Sequence, residues 1–117
     1  MSKSIVLTCC GHSELGTIDR LLNGENKPKM LIVADTKESS LERAKKMFPI
    51  DYAVERGVLL MYVDTSDQKN TEEYLFDLSD GTGFDDVYVF ETIRYSMDMA
   101  KKILSKDGQI HYFCKES

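Results

Sequence analysis

The chain has 117 residues, of which 42% are hydrophobic and 30% are charged, and its formal net charge is −5. This length suits one domain rather than two, and the composition is that of an ordinary soluble globular protein. An acidic chain lacks the basic surface that attracts nucleic acids and anionic membranes, so we expect neither as a partner. No apolar run reaches the length of about 20 residues that a membrane-spanning helix needs.

The three cysteines, Cys9, Cys10 and Cys114, bear on the compartment in which the chain works. Their number is odd and two of them are adjacent, a pattern that does not support a disulfide framework. Free thiols suit the reducing cytosol, and the first residues carry no signal-peptide pattern. We therefore expect a cytoplasmic protein whose cysteines pack as small buried side chains rather than holding a metal ion.

Five short apolar runs alternate with segments of helical spacing along the chain. Each run is continuous rather than alternating, which is typical of strands that are buried on both faces of a parallel sheet. The runs are Ile5–Cys10, Met30–Ala34, Val58–Val63, Val87–Phe90 and Ile110–Cys114.

The first two helices have recognisable ends. The first is expected to end near Gly24, since glycine is favoured just after a helix. The second is expected to begin at a capping serine, either Ser39 or Ser40, and to end before Pro49.

The last two helices lead into the fourth and fifth strands. The third helix is expected to end in the glycine-rich turn of residues 80–83. The fourth is expected to include Leu104, with Asp107 and Gly108 as the turn into the last strand. This element order predicts an α/β fold: a doubly wound, Rossmann-like parallel sheet of five strands in the order 3-2-1-4-5. We expect a single domain over residues 1–117 that is a fragment of a larger protein, because such domains often have a sixth strand.

Ligands of such sheets bind beyond the carboxyl ends of the strands, where the strand order reverses. In the loop after the first strand, Gly11 has the place at which a backbone approaches a pyrophosphate, and Cys9, His12 and Ser13 surround it. Glu14 brings a carboxylate to the same helix start, where it would repel a pyrophosphate. The alternative interpretation is a plain strand-to-helix turn that needs one glycine.

Asp35 closes the second strand and is followed by Thr36. An acidic residue at this place accepts hydrogen bonds from a ribose and repels a 2′-phosphate, which favours NAD over NADP. Alternatively, Asp35 and Thr36 only cap the turn into the second helix.

Polar side chains also follow the other strands. Asp64 and Thr65 end the third strand, near the place of an adenine in such folds, although they also suit an ordinary turn. Glu91 and Cys114, at the ends of the fourth and fifth strands, complete the candidate cofactor-binding residues. No residue is a candidate for catalysis, and we expect His111 to be a packed histidine in the last strand.

Several stretches of the sequence match one known family in the same order, and together they span nearly the whole chain. They are residues 15–19, 27–35, 41–44, 47–49, 83–90 and 107–110, and the run Gly83-Phe84-Asp85-Asp86-Val87 is fairly specific. In these stretches the chain resembles the nucleotide-binding domain of medium-chain zinc-dependent alcohol and polyol dehydrogenases. Within that family it is most similar to the sorbose-1-phosphate reductase-like branch.

The resemblance implies the NAD(P)-binding domain of an oxidoreductase that moves hydride between an alcohol, polyol or sugar phosphate and nicotinamide. Gly11 would then be the pyrophosphate glycine and Asp35 the ribose acid. This sequence has Cys9, His12 and Glu14 where the family tends to have Gly, Pro and Gly. The family holds its zinc in a separate catalytic domain, which is absent from this chain, so the chain alone is not expected to be catalytic.

Two other functions stay open on the sequence. One is a non-catalytic Rossmann module that has lost its cofactor, and Glu14 favours it. The other is the core of a methyltransferase that binds S-adenosylmethionine, because acids after the second and third strands also suit that cofactor. As partners we expect a dinucleotide and a second copy of the chain, in a homodimer through the exposed edge of the fifth strand.

Overall fold

The sheet of this chain is parallel throughout and has five strands. The computed structural model describes residues 2–8, 13–35, 37–66, 68–90 and 94–112. The strand order is β3-β2-β1-β4-β5, so the predicted doubly wound fold and its order are confirmed. The strands are β1 (Lys3–Thr8), β2 (Met30–Asp35), β3 (Leu59–Asp64), β4 (Phe84–Val89) and β5 (Leu104–Tyr112). The helices are α1 (Ser13–Asn23), α2 (Glu38–Met47), α3 (Ile50–Glu55), α4 (Gln68–Leu78) and α5 (Arg94–Ile103).

Helices cover the sheet on both faces, which explains why the strands are continuously apolar. In β1, Ile5 and Leu7 join one core with side chains of α4 and α5, whereas Val6 joins another with side chains of α1, α2 and α3. Successive side chains of a strand point to opposite faces, so a strand with a core on each side needs no polar positions. Each fully buried Ile or Leu contributes about 1.5–3 kcal/mol to these cores.

The ends of the first two helices agree with the sequence, but the start of α2 does not. α1 ends at Asn23, where the Gly24 N–H donates to the Arg20 carbonyl at 2.8 Å. The prediction of a serine cap on α2 is wrong, because Lys37 has the capping position and its own side chain makes no capping hydrogen bond. Ser39 and Ser40 lie inside the first turn of α2 instead.

The join between α5 and β5 also differs from the prediction. One residue lies between the paired positions Phe84 and Asp86 of β4, whereas four lie between their partners Leu104 and Gln109 of β5. The prediction that Leu104 is helical and that Asp107 and Gly108 form a turn is therefore wrong. The extra residues are taken up inside β5, which begins directly after the helix.

Two glycines allow this irregular stretch to pack closely against β4. A Cβ atom on Gly108 would lie 2.7 Å from the Phe84 carbonyl oxygen, and one on Gly83 would lie 2.7 Å from the Ser105 backbone nitrogen. Gly83 also has a φ of 84°, in the left-handed region that glycine enters most readily. Side chains at these two positions would push β5 away from β4.

Candidate functional site

The carboxyl edge of the sheet brings three strand ends to one level. Thr8 at the end of β1 pairs with Asp35 at the end of β2, and Asp35 pairs with Asp64 at the end of β3. α1 begins at Ser13, so residues 9–12 connect the end of β1 to a helix start at the same edge. The first N–H groups of a helix have no partner within it, and they favour negative charge.

Asp35 is built into the turn that follows β2. Its side chain is fully buried, and its Oδ1 accepts a hydrogen bond from the Lys37 backbone N–H at 2.9 Å. The Asp35 carbonyl accepts a second one from the Thr65 N–H at 2.8 Å, which joins this turn to the end of β3. The carboxylate therefore caps the turn into α2, as one interpretation of the sequence expected, and it is held in a fixed place at the edge.

Asp64 and Thr65 have different surroundings from each other. Asp64 is exposed, and its Oδ1 accepts a hydrogen bond from the Ser66 N–H at 2.9 Å. This bond holds the pKa of the Asp64 carboxyl below its usual value. The bond spans two residues, as in the ordinary turn that the sequence also allowed. Thr65 is buried.

Of the predicted site residues, the structure brings Ser13, Asp35, Asp64 and Thr65 to this one edge of the sheet. Ser13 is the first residue of α1. Six further predicted residues lie outside the described part of the chain: Cys9, Gly11, His12, Thr36, Glu91 and Cys114.

A second polar cluster lies on β4 and β5, just before the ends of these strands, and the sequence did not identify it. His111 on β5 has its Nε2 3.0 Å from Asp86 Oδ1 on β4, and its ring stacks on Tyr88 with centroids 4.6 Å apart. The His111 side chain, which we expected to be packed, is 33% exposed. The register between β4 and β5 brings these side chains together, and no pattern in the sequence indicates that register.

Two kinds of feature are absent from the described residues. None of their helices has the length and apolarity to cross a membrane. Among the same residues, no group of three or more His, Cys, Asp and Glu side chains is placed to hold a metal ion.

Curated relatives match this chain along most of its length. Mannitol-1-phosphate 5-dehydrogenase of Aliivibrio fischeri is 34% identical over 108 residues, which cover 92% of this chain and 26% of that protein. L-sorbose 1-phosphate reductase of Klebsiella pneumoniae is 31% identical over 110 residues, which cover 94% of this chain and 25% of that protein. The chain thus spans about a quarter of the length of the curated relatives it matches. No protein-family model matches it.

A solved structure carries the same fold. The zinc dependent alcohol dehydrogenase 2 from Streptococcus pneumonia superposes with a TM-score of 0.69 at 23% identity, over 99% of this chain and 32% of that one. These relatives confirm the resemblance found in the sequence, and they do not favour a methyltransferase core. The chain has a Rossmann fold, and along most of its length it is similar to a mannitol-1-phosphate dehydrogenase and an L-sorbose 1-phosphate reductase.

Proposed function

We propose that this chain binds a nicotinamide dinucleotide at the carboxyl edge of its sheet, as the cofactor domain of a polyol or alcohol dehydrogenase. The observation that carries the proposal is the place of Asp35. It ends β2, level with the end of β1, and the connection of residues 9–12 leads from there to the start of α1. In Rossmann folds an acid at this place binds the ribose hydroxyls beside a helix start that receives the pyrophosphate.

The surroundings of Asp35 fit this role. A carboxylate has about four sites at which it accepts hydrogen bonds. The bond from the Lys37 N–H uses Oδ1, so the capping role and the binding of a ribose are compatible. The same bond fixes the direction of the carboxylate before a ligand arrives, which reduces the entropy that binding would cost.

The other residues of the edge would receive the rest of the dinucleotide. Gly11, with Cys9, His12 and Ser13 beside it, would meet the pyrophosphate. Glu14 opposes this role, because an acidic residue in the first turn of α1 brings negative charge to the place where an anion has to bind. We therefore expect weaker binding than a glycine at position 14 would allow.

We further propose that the cofactor is NAD rather than NADP. The Asp35 carboxylate would repel the additional phosphate on the ribose of NADP. The ribose and adenine of the cofactor would be lined by Thr36, Thr65 and Asp64. Its nicotinamide would be lined by Glu91 and Cys114.

Hydride transfer would need parts that lie in another domain. The bound cofactor would accept or supply the hydride, while this chain would bind and orient it. In our proposal the zinc and the proton relay for a polyol, alcohol or sugar-phosphate substrate belong to a catalytic domain. The curated relatives, each about four times as long as the matched segment, support this division of roles. The chain alone should therefore bind the cofactor without oxidising an alcohol, and we expect it to work in the cytoplasm.

A homodimer through β5 is a separate part of the proposal. β5 is an end strand of the described sheet, and an end strand presents backbone groups that can pair with another chain. We expect light scattering to give about twice the 13.4 kDa of the chain. A mass of one chain at every concentration up to the millimolar range would contradict the dimer and leave cofactor binding unaffected.

A second candidate function is a Rossmann module that no longer binds a cofactor, which Glu14 favours. Titration with NADH and NADPH, followed by the fluorescence of the reduced nicotinamide, separates the two functions. We expect NADH to bind about tenfold more tightly than NADPH, a difference of about 1.4 kcal/mol. If a folded sample binds neither at millimolar concentration, the module without a cofactor is the better description.

Substitution of Asp35 tests the observation that carries the proposal. Asp35→Asn removes the charge that would repel a 2′-phosphate but keeps an oxygen for the Lys37 N–H, so the preference for NADH should largely disappear. Asp51→Asn is the matched control, since it removes one carboxylate from the exposed surface of α3. An unchanged ratio of the two affinities in Asp35→Asn would exclude Asp35 from the ribose site.

A further inference from the structure

A cleft of about 300 Å³ lies between α1 and the strands β4 and β5. We call it the α1–β5 cleft, and it is lined by Thr17, Arg20, Leu21, Tyr88 and His111. Its three helical residues belong to the second and third turns of α1 rather than to the helix start. Tyr88 pairs with Val6, two positions before the end of β1. The cleft therefore lies beside the middle and end of α1, whereas the pyrophosphate is proposed to bind at the start of that helix.

The charges in the α1–β5 cleft favour an anion. Within the described residues, the Arg20 guanidinium has one hydrogen-bond partner, Thr17 Oγ1 at 3.3 Å, and it forms no ion pair. Asp86, on the same strand as Tyr88, has its Oδ1 3.0 Å from His111 Nε2. A guanidinium has five N–H donors, so most of them are available to a ligand. Among the carboxylates that the structure describes, none forms an ion pair with Arg20 at the cleft.

One wall of the α1–β5 cleft is an aromatic pair, in which the rings of Tyr88 and His111 stack face to face on each other, with centroids 4.6 Å apart. Tyr88 and His111 are register partners on neighbouring strands, and their rings are nearly parallel, with 14° between the planes. Burial raises the pKa of Tyr88, and Asp86 raises it further, while Arg20 lowers it. Tyr88 is thus a neutral phenol in the physiological range, with its ring close to the Arg20 charge. Leu21 adds apolar surface on the side of the helix.

We propose that the α1–β5 cleft binds a small aromatic carboxylate, with the carboxylate on Arg20 and the ring against Tyr88 and His111. A guanidinium binds a carboxylate through two parallel hydrogen bonds, and this geometry selects a planar anion. Stacked or edge-on packing of a ligand ring on an aromatic wall adds contact energy that an aliphatic acid gains less well. The cleft volume is at the small end of the range for ligand pockets, so a single-ring compound fits better than a nucleotide.

The test is a titration with benzoate, followed by the amide signals of the ¹⁵N-labelled chain. We expect signals of residues 17–21, 88 and 111 to move, with a dissociation constant in the millimolar range. Benzamide has the same shape without the charge and should bind at least tenfold more weakly. Cyclohexanecarboxylate has the charge without a planar ring and should bind several-fold more weakly. If either compound binds as well as benzoate, the proposed recognition is wrong.

Variants at two exposed arginines localise the site. Arg20→Gln should weaken benzoate binding at least tenfold, whereas Arg43→Gln, the same change on α2, should leave it unchanged. Arg20→Gln should also leave NADH binding unchanged, so this test does not depend on the dinucleotide proposal. Equal benzoate affinity in wild-type and Arg20→Gln, or signal changes confined to other parts of the chain, would overturn the proposal.

Discussion

Tyr62 links α2 to the sheet by hydrogen bonds from a single side chain. Its hydroxyl on β3 lies 2.8 Å from the Phe48 carbonyl and 3.2 Å from the Ala44 carbonyl, both at the end of α2. Helix-end carbonyls lack partners within the helix, so this donor serves the Phe48 carbonyl, whereas the Ala44 carbonyl also accepts the Phe48 N–H at 2.8 Å. Burial raises the pKa of Tyr62, because the phenolate would lose its hydration in this place.

We expect Tyr62→Phe to lower the free energy of unfolding by about 1 kcal/mol, the typical net value of a hydrogen bond. The folded-state pKa is raised, so the contribution is complete below the unfolded value of about 10 and is lost as the pH rises above it. The difference between wild-type and Tyr62→Phe in urea unfolding should therefore shrink at alkaline pH. Tyr74→Phe, at a tyrosine that is 51% exposed, should change neither quantity.

Glu14 offers a test of where the pyrophosphate binds. A charge near a helix end changes the free energy of an interaction there by about 0.3–1 kcal/mol. Glu14→Gly should therefore tighten NADH binding about two- to fivefold. Glu14→Gln removes the charge without adding backbone freedom, and it should account for most of the gain. Unchanged affinity in both variants would argue against an anion at the start of α1.

At the scale of elements, the irregular pairing of β4 with β5 depends on glycines that other elements do not need. Gly83 requires a positive φ and backbone contact with Ser105, as described above. Gly16 lies within α1, and a Cβ atom there would meet nothing within 4 Å. The same substitution should therefore have opposite effects at these two positions.

Gly83→Ala is expected to lower the free energy of unfolding by about 3 kcal/mol, since left-handed strain of about 1–3 kcal/mol adds to contact with the Ser105 backbone. Gly16→Ala should raise it by about 0.5–1 kcal/mol, because alanine is the better residue inside a helix. Chemical denaturation of both variants measures the two effects. A loss of stability in Gly16→Ala would mean that α1 is packed more tightly than its surroundings indicate.

The sequence predicted elements where local pattern decides and failed where long-range pairing decides. β1 and β2 were identifiable because both faces are buried, which leaves a continuous apolar run. β5 was assigned too late, because residues 105–108 resemble a turn in the sequence but form an irregular stretch inside the strand. Asp35 was identifiable because it ends a strand, whereas Tyr88 and His111 meet only through the register of two strands.

At the scale of the whole molecule, one sheet separates two cores. Ile18 of α1 and Ile103 of α5 are both fully buried, on opposite faces. The strands between them contribute alternate side chains to each core, so neither core can form without the sheet. We infer that the two cores fold as one cooperative unit.

Ile18→Ala and Ile103→Ala test this cooperativity. Each should lower the free energy of unfolding by about 2–5 kcal/mol, the range for truncating a buried Ile. Circular dichroism and tyrosine fluorescence should give coincident single transitions for both variants. Two separate transitions in either variant would contradict a single folding unit.

The common direction of the strands has a practical consequence for handling this protein. Because β1 starts at the amino edge of the sheet and β5 runs toward the carboxyl edge, the two termini of the described sheet point to opposite sides of the molecule. An affinity tag or a sensor-chip anchor placed before Lys3 would leave the carboxyl edge facing the solution. The same anchor placed after Tyr112 would sit beside that edge and obstruct whatever approaches it.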